Sequence, residues 1–443
     1  MKNKKHLNIF LILYTVIFIL SFIIPGMIID SNTLKVLDVK TYLSIESLIK
    51  APYNLINLFG HDLVLLISVI VFYSLLKSSK YYSDLIKRIA SKFNSKRSFT
   101  FFTFLILFIL TSFFNLGFSI IIFIPFILDI YKTLNIKKEL SAGVILYSTL
   151  TGYLTSFTAY SNYDYINSSL GRSTSLPLSF KILLLIVLSI NLFIYISYKF
   201  KGEKNILIKY NKNKSFKETS FNIILIILLI TILFISFSWG KALNITTFDK
   251  FISNLGYKNS GNNFFGNLNT FGNLNSLDYS FLLLISSIII CFFKDSNINK
   301  KLGSEINIKI ITSFILVHLL VILSSSTNFL LFIINKIVVS LKHLPILSSV
   351  ITSIISFLFV PSGLFSTYSF LGALDINLSL KYLNYIWLFT NTLMMIILPT
   401  SLLLLLVLNY NKVSIKNYYK DNKYLLLLTT FIVFIFLFIL KFL

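Results

Sequence analysis

Phe, Ile and Leu in this chain do not alternate with polar residues but collect in unbroken blocks, many about 20 residues long. A helix of that length crosses a hydrocarbon layer about 30 Å thick, so the blocks predict a polytopic membrane protein. A soluble domain would need polar faces repeating along each segment, and few blocks contain them. Only 13% of the 443 residues are charged against 56% hydrophobic, about half the charged share of an ordinary soluble domain.

Apolar spans are read at 7–29, 55–76, 99–131, 141–160, 179–198, 221–240, 279–293, 310–335, 345–374, 386–408 and 425–443. The net charge of +24 suggests a nucleic-acid partner at first sight. Its lysines, however, fall in short segments between spans, as loops on the cytoplasmic side require. No nucleic acid is therefore expected. Segments 77–98, 199–217, 294–309 and 409–424 are the basic ones. The positive-inside rule puts them and the N-terminus in the cytoplasm of a cell-membrane protein. Segments 30–54 and 241–278 carry little net charge and suit the outside. The basic start MKNKKH leads into a 23-residue apolar stretch with no small-residue cleavage site after it, which reads as a retained helix. A single cysteine, Cys291, excludes an internal disulfide and a cysteine metal cage.

Parity then constrains the topology. Both flanking loops of 99–198 are basic, yet three spans lie between them. The first, 99–131, would reach about 50 Å as one helix, too long for one crossing and too short for two. Its middle reads NLGFS (Asn115, Gly117 and Ser119 among them), with Pro125 beyond. A re-entrant hairpin satisfies length and parity together. Span 345–374 repeats the pattern, broken at Pro361, Ser362 and Gly363. The expected fold is therefore an all-α polytopic membrane protein with about nine transmembrane helices and two re-entrant helical hairpins in an inverted-topology repeat. Residues 1–198 form the first repeat and 279–443 the second. A linking helix with a basic loop and an Asn/Gly-rich loop occupies 199–278.

The stretch STLTGYLTSFTAYSNYDYIN, 148–167, is too rich in hydroxyls to face lipid. On a helix Ser148, Thr151, Thr155 and Thr158 form one stripe, with Thr149, Gly152 and Ser156 beside it. Small polar residues also serve plain helix packing, but the cluster continues into Ser161, Asn162, Asp164 and Asn167. Its counterpart contains Thr390, Asn391 and Thr392, followed by Pro399, Thr400 and Ser401. Pro399 frees a carbonyl near Met395, and such backbone is tolerated at membrane depth only within protein or a wet cavity. These elements predict a solute site at the bilayer midplane, lined by broken-helix ends and short polar side chains. Helix N-termini there can face an anion, while carbonyls and hydroxyls can hold Na⁺.

The stretch from NLGFS to YDYIN, 115–167, has a G-F pair, a PF pair, an AG turn and a hydroxyl-rich broken helix. With FVPSG at 359–363 and LPTSLLLLLVLNYNKVSIKNYYK from 398, it resembles bacterial permeases of the four-carbon dicarboxylate anaerobic carrier family, in the ion-transporter superfamily. An acidic pair of that family is replaced here by Ser119 and Ile120, and the first-helix breakers reduce to IIPGM. The resemblance implies secondary transport of carboxylates, peptides or amino acids, coupled to Na⁺ or H⁺ or run as exchange, by a carrier that is often a homodimer.

Other residues carry weaker signals. Arg172 could clamp a carboxylate, but just outside a span it reads as an interfacial anchor. Asp164 could balance a cationic solute, as an arginine/ornithine-type exchanger would need, or simply end a helix in water. His318 within 310–335 reads as a hydrogen-bonded packing residue, and His61–Asp62 as interfacial. The SSSTN run at 324–328 either lines the cavity or bonds helix to helix. Residues 80–97 look like an amphipathic helix on the inner leaflet, and 260–275 like an exposed loop. The scattered His residues, the lack of carboxylate pairs within spans and the lack of a G-x-S-x-G turn argue against an enzyme such as a membrane glycan ligase or polymerase. No cofactor is expected, and Na⁺ is the one ion considered.

Overall fold

The computed structural model describes residues 4–29, 36–39, 43–114, 116–157, 176–202, 216–248, 250, 271–272, 274–293, 308–361 and 383–440. Helices dominate. In chain order they are α1 (Lys4–Ile23), α2 (Ile45–Ser78), α3 (Lys80–Ser91), α4 (Lys96–Phe113), α5 (Ile124–Thr133), α6 (Lys138–Leu154), α7 (Leu178–Lys199) and α8 (Phe216–Ser236). They continue with α9 (Trp239–Leu243), α10 (Ser276–Cys291), α11 (Ile308–Thr327), α12 (Phe329–Ser340), α13 (Pro345–Phe359), α14 (Leu383–Ile397), α15 (Leu402–Asn411) and α16 (Ile415–Ile439). Among the described residues seven helical segments are long and apolar enough to cross a membrane, with α14 and α15 counted as one, and four shorter apolar helices accompany them. This is a multi-pass membrane protein.

One group of helices gathers around α2, which packs on α10 and α11, with α1 against α11. Tyr14 of α1 donates to the Leu316 carbonyl of α11 at 2.6 Å, and Tyr279 of α10 donates to Ser236 at the end of α8 at 2.8 Å. A second group surrounds α6, which touches α4, α14, α15 and α16. Small residues allow these approaches. A Cβ on Gly143 would lie 2.0 Å from Asn422 Oδ1 of α16, and one on Gly152 would lie 1.7 Å from Thr111 Oγ1 of α4. Asn422 Nδ2 donates to the Glu139 carbonyl at 3.0 Å, and Asn411 of α15 donates to Ser141 Oγ at 2.7 Å. Outward apolar side chains such as Ile12, Ile194, Phe281 and Phe431 remain exposed, as lipid-facing surface requires.

Described residues at the edges of the basic segments pair with one another. Arg88 pairs with Glu218, Lys199 Nζ donates to the Asp421 carbonyl, and Asn409 approaches the Lys309 carbonyl. After α4 the Leu116 N–H donates to the Phe114 carbonyl at 2.8 Å, and the chain runs through a 3-10 helix (Gly117–Ile122) and returns as α5. Its two ends touch again: the rings of Phe99 and Tyr131 lie 4.9 Å apart. Gly117 sits at φ +50°, a left-handed value that carries little steric cost for glycine.

Several expected boundaries are corrected. The bundle is all-α as expected, and one short antiparallel ribbon stands beside it, in which residues 26–29 pair with 36–39, Gly26 opposite Val39. The helix expected to start at 55 begins at Ile45, where Ser44 caps it by accepting from Ser47 N at 3.0 Å. The hydroxyl-bearing helix stops at Leu154, with Thr155 at its C-cap, short of the expected 158. Span 310–335 is two helices, because Asn328 adopts φ 51° and breaks the ladder. Span 386–408 is likewise divided where Pro399, which has no N–H to donate, interrupts α14 and α15. The apolar residues of α3 face protein and not lipid, with Tyr82, Leu85, Ile86 and Ala90 buried.

Candidate functional site

The break after α4 and the end of α6 lie side by side. Phe157 N donates to the Ser112 carbonyl at 3.1 Å, the Phe113 and Phe157 rings stack at 5.2 Å, and Tyr153 OH donates to the Gly117 carbonyl at 3.0 Å. Ser119 is buried in the 3-10 helix, and Pro125 stands in the first turn of α5.

The α6 hydroxyls point back along their own helix. Ser148 donates to Val144 O at 2.6 Å, Thr149 to Leu146 O at 2.8 Å, Thr151 to Tyr147 O at 2.9 Å and Thr155 to Thr151 O at 2.8 Å. A hydroxyl that spends its hydrogen this way keeps only lone pairs for a neighbour. This face of α6 therefore offers acceptors. Gly152 serves the close approach of α4. Beyond the C-cap, the Ser156 carbonyl accepts from Lys181 Nζ of α7 at 2.8 Å. This cation meets the negative end of the α6 dipole.

The other half mixes hydroxyls bonded back to their own helix, Ser349 to Pro345 O and Thr352 to Ser348 O, with buried polar atoms that have no such bond. Helix α13 carries Ser348, Ser349, Thr352, Ser353 and Ser356, all 0% exposed, and it packs on α14. Ser353 Oγ lies 3.1 Å from Asn391 Oδ1 and 3.3 Å from the Trp387 carbonyl. Thr390 is satisfied by Ile386 O at 2.8 Å. Asn391 Nδ2 and the hydroxyls of Ser348, Ser356 and Thr400 are buried with no hydrogen-bond partner among the described residues. So is Ser112 Oγ at the end of α4. An unsatisfied buried polar group costs about 1–3 kcal/mol, so each of these atoms stands in want of a partner. Ser401 caps α15 by accepting from Leu404 N at 3.4 Å. The two halves adjoin: α14 packs on α6, and Phe180 of α7 stacks 6.3 Å from Phe389 of α14, next in sequence to Lys181 and Thr390.

Asn115, Asn162, Asp164, Arg172, Ser362 and Gly363 lie outside the described residues, whereas Pro361 is described and buried. His318 Nδ1 lies 2.8 Å from the Phe314 carbonyl, and its ring packs on Phe59 and Phe314 at 4.1 and 4.0 Å, a packing role. Asp62 accepts a hydrogen bond from Ser276. Ser324 bonds helix to helix, donating to Phe359 O at 3.0 Å. Among the described residues no group of three or more His, Cys, Asp or Glu could hold a metal ion. Sequence reasoning missed Lys181 and the α13 hydroxyls, although the spacing 348, 352 and 356 traces one helical face.

Among solved structures, the YdaH transporter of Alcanivorax borkumensis, whose crystal structure is described as revealing an unusual topology, is similar over 98% of this chain and 96% of its own, at 12% identity and a TM-score of 0.43. No curated protein matches this chain. A family model described as citrate transporter matches residues 1–350. The protein is a secondary transporter and not an enzyme, and the chain belongs to the citrate transporter family.

Proposed function

We infer that this permease carries a small carboxylate, citrate or a four-carbon dicarboxylate, through the cell membrane with a coupling cation. The observation that carries this reading is the set of orphaned donors: Asn391 Nδ2 and the hydroxyls of Ser348, Ser356 and Thr400. Neutral donors of this kind hydrogen-bond a carboxylate without adding to the charge of the site. Lys181 supplies the positive charge near the end of α6. The acceptor face of α6, Thr151 and Thr155 above all, suits Na⁺ or a proton-bearing group.

In this reading 99–131 and 345–374 are re-entrant hairpins of two inverted repeats, 1–198 and 279–443. The solute enters between the break at Gly117 and the segment after Pro361. The basic segments face the cytoplasm, as lysine-rich loops favour. A basic amino acid suits the site less well, because donors cluster where such a solute would need an acid.

Uptake of labelled citrate, succinate and arginine into proteoliposomes, with and without a Na⁺ gradient, tests the reading. Citrate or succinate should accumulate and arginine should not. Accumulation of arginine alone would refute it.

A further inference from the structure

Two ties join α8 to α10. At one end Tyr279 OH donates to Ser236 Oγ at 2.8 Å, and at the other the rings of Phe221 and Phe293 meet edge to face at 5.7 Å. Beside the second tie runs a crevice lined by Phe221, Leu225 and Leu228 of α8, Ile290 and Phe293 of α10 and Phe72 of α2. The polar residue on its wall, Ser286, donates to the Leu282 carbonyl at 2.5 Å. With that hydrogen spent, the wall suits hydrocarbon. Ile227 of α8 and Ile288 and Phe292 of α10 are exposed, so the crevice lies between two lipid-facing surfaces.

One end of the crevice is charged. Lys217, Phe221, Ile224 and Leu228 follow one another at steps of four, three and four, and so share one face of α8. Lys217 therefore stands at the head of the crevice, and it is exposed. Its neighbour Glu218 is committed to Arg88 at 3.2 Å, and Lys217 makes no ion pair among the described residues. At the same end the half-buried ring of Tyr81 lies 6.0 Å from that of Phe221. An aromatic with one apolar and one polar end belongs at the level of lipid headgroups.

A cation at the head of an apolar trough matches an amphiphile with a negative head and a hydrocarbon tail. A carboxylate solute without a tail would leave the trough unfilled. We propose that the crevice binds one anionic phospholipid, its acyl chain laid along Phe221, Leu225 and Leu228 and its phosphate at Lys217. The site is separate from that of the transported solute and does not rest on the solute's identity.

The test incubates the purified full chain in detergent with equal amounts of phosphatidylglycerol and phosphatidylcholine of identical acyl chains, and counts bound lipid by native mass spectrometry. Phosphatidylglycerol should be retained about fivefold over phosphatidylcholine, the preference that one lysine near an anionic headgroup supplies. Lys217→Gln should abolish that preference, whereas Lys423→Gln, at an exposed lysine of α16, should leave it intact. Leu228→Trp, which fills the crevice, should cut retention of both lipids by more than half. Ile224→Trp repeats that measurement should Leu228→Trp fail to fold. Equal retention of the two lipids by the parent would overturn the proposal, as would a preference that survives Lys217→Gln or falls as far with Lys423→Gln. Full retention by a folded crevice-filling variant would overturn it too.

Discussion

Thr111 Oγ1 on α4 stands 1.7 Å from where residue 152 on α6 would place a Cβ. The hydroxyl is held there by its bond to the Leu107 carbonyl at 2.7 Å. Gly152→Ala therefore forces the two helices apart, at a cost of about 1–3 kcal/mol for an overpacked contact. Thermal unfolding of purified protein should show the loss, and adding Thr111→Ala should recover more than half of it. A neutral Gly152→Ala would contradict this close approach.

Ser356→Ala and Asn391→Leu should separate stability from transport. Removing an orphaned polar group relieves about 1–2 kcal/mol of desolvation, although Asn391 also gives up its contact with Ser353. Melting temperatures should hold or rise, while citrate uptake falls at least tenfold. Loss of both together would mean that these groups serve the fold.

Lys181→Gln should weaken uptake of a trivalent carboxylate more than that of a divalent one, because only a charge interaction scales with solute charge. We expect about a tenfold rise in KM for citrate, about fivefold for succinate, and partial rescue by Lys181→Arg. Equal effects on both solutes would make Lys181 a mere cap on the α6 terminus.

Gly117 at φ +50° has nothing within 4 Å of its missing Cβ, so substitution there tests backbone strain alone. Left-handed geometry costs an ordinary residue about 1–2 kcal/mol, and Asn tolerates it best. Melting temperatures should descend in the order Gly, Asn, Ala, Val. An Ala variant as stable as the parent would show that the turn adopts another conformation.

Helix positions were legible in the sequence because a hydrocarbon solvent permits so few backbone solutions that a run of Phe, Ile and Leu nearly dictates one. The turn at Gly117 could be read from its glycine and from the excess length of 99–131. The break at Asn328 could not, because an asparagine in left-handed geometry looks like any polar residue in a polar run. The α6 hydroxyls were found, but not their direction: whether a threonine faces a neighbour or its own carbonyl depends on a side-chain rotation. Lys181 was hidden by its position near the start of an apolar block, where a lysine ordinarily marks the water boundary. The α13 serines were diluted among Ile, Leu and Phe, and became a group only once α14 was laid against them.

Helix α2 runs unbroken for 34 residues, a rod of about 51 Å. An oily layer about 30 Å deep cannot contain such a rod unless it leans by more than 50° or so, far beyond the usual tilt of about 20°. Near ordinary tilt, several turns must stand clear of the lipid. The first turns of α2 carry Ile45 and Ile49 uncovered on one side, so a greasy edge runs up to the very end of a rod longer than the lipid it crosses.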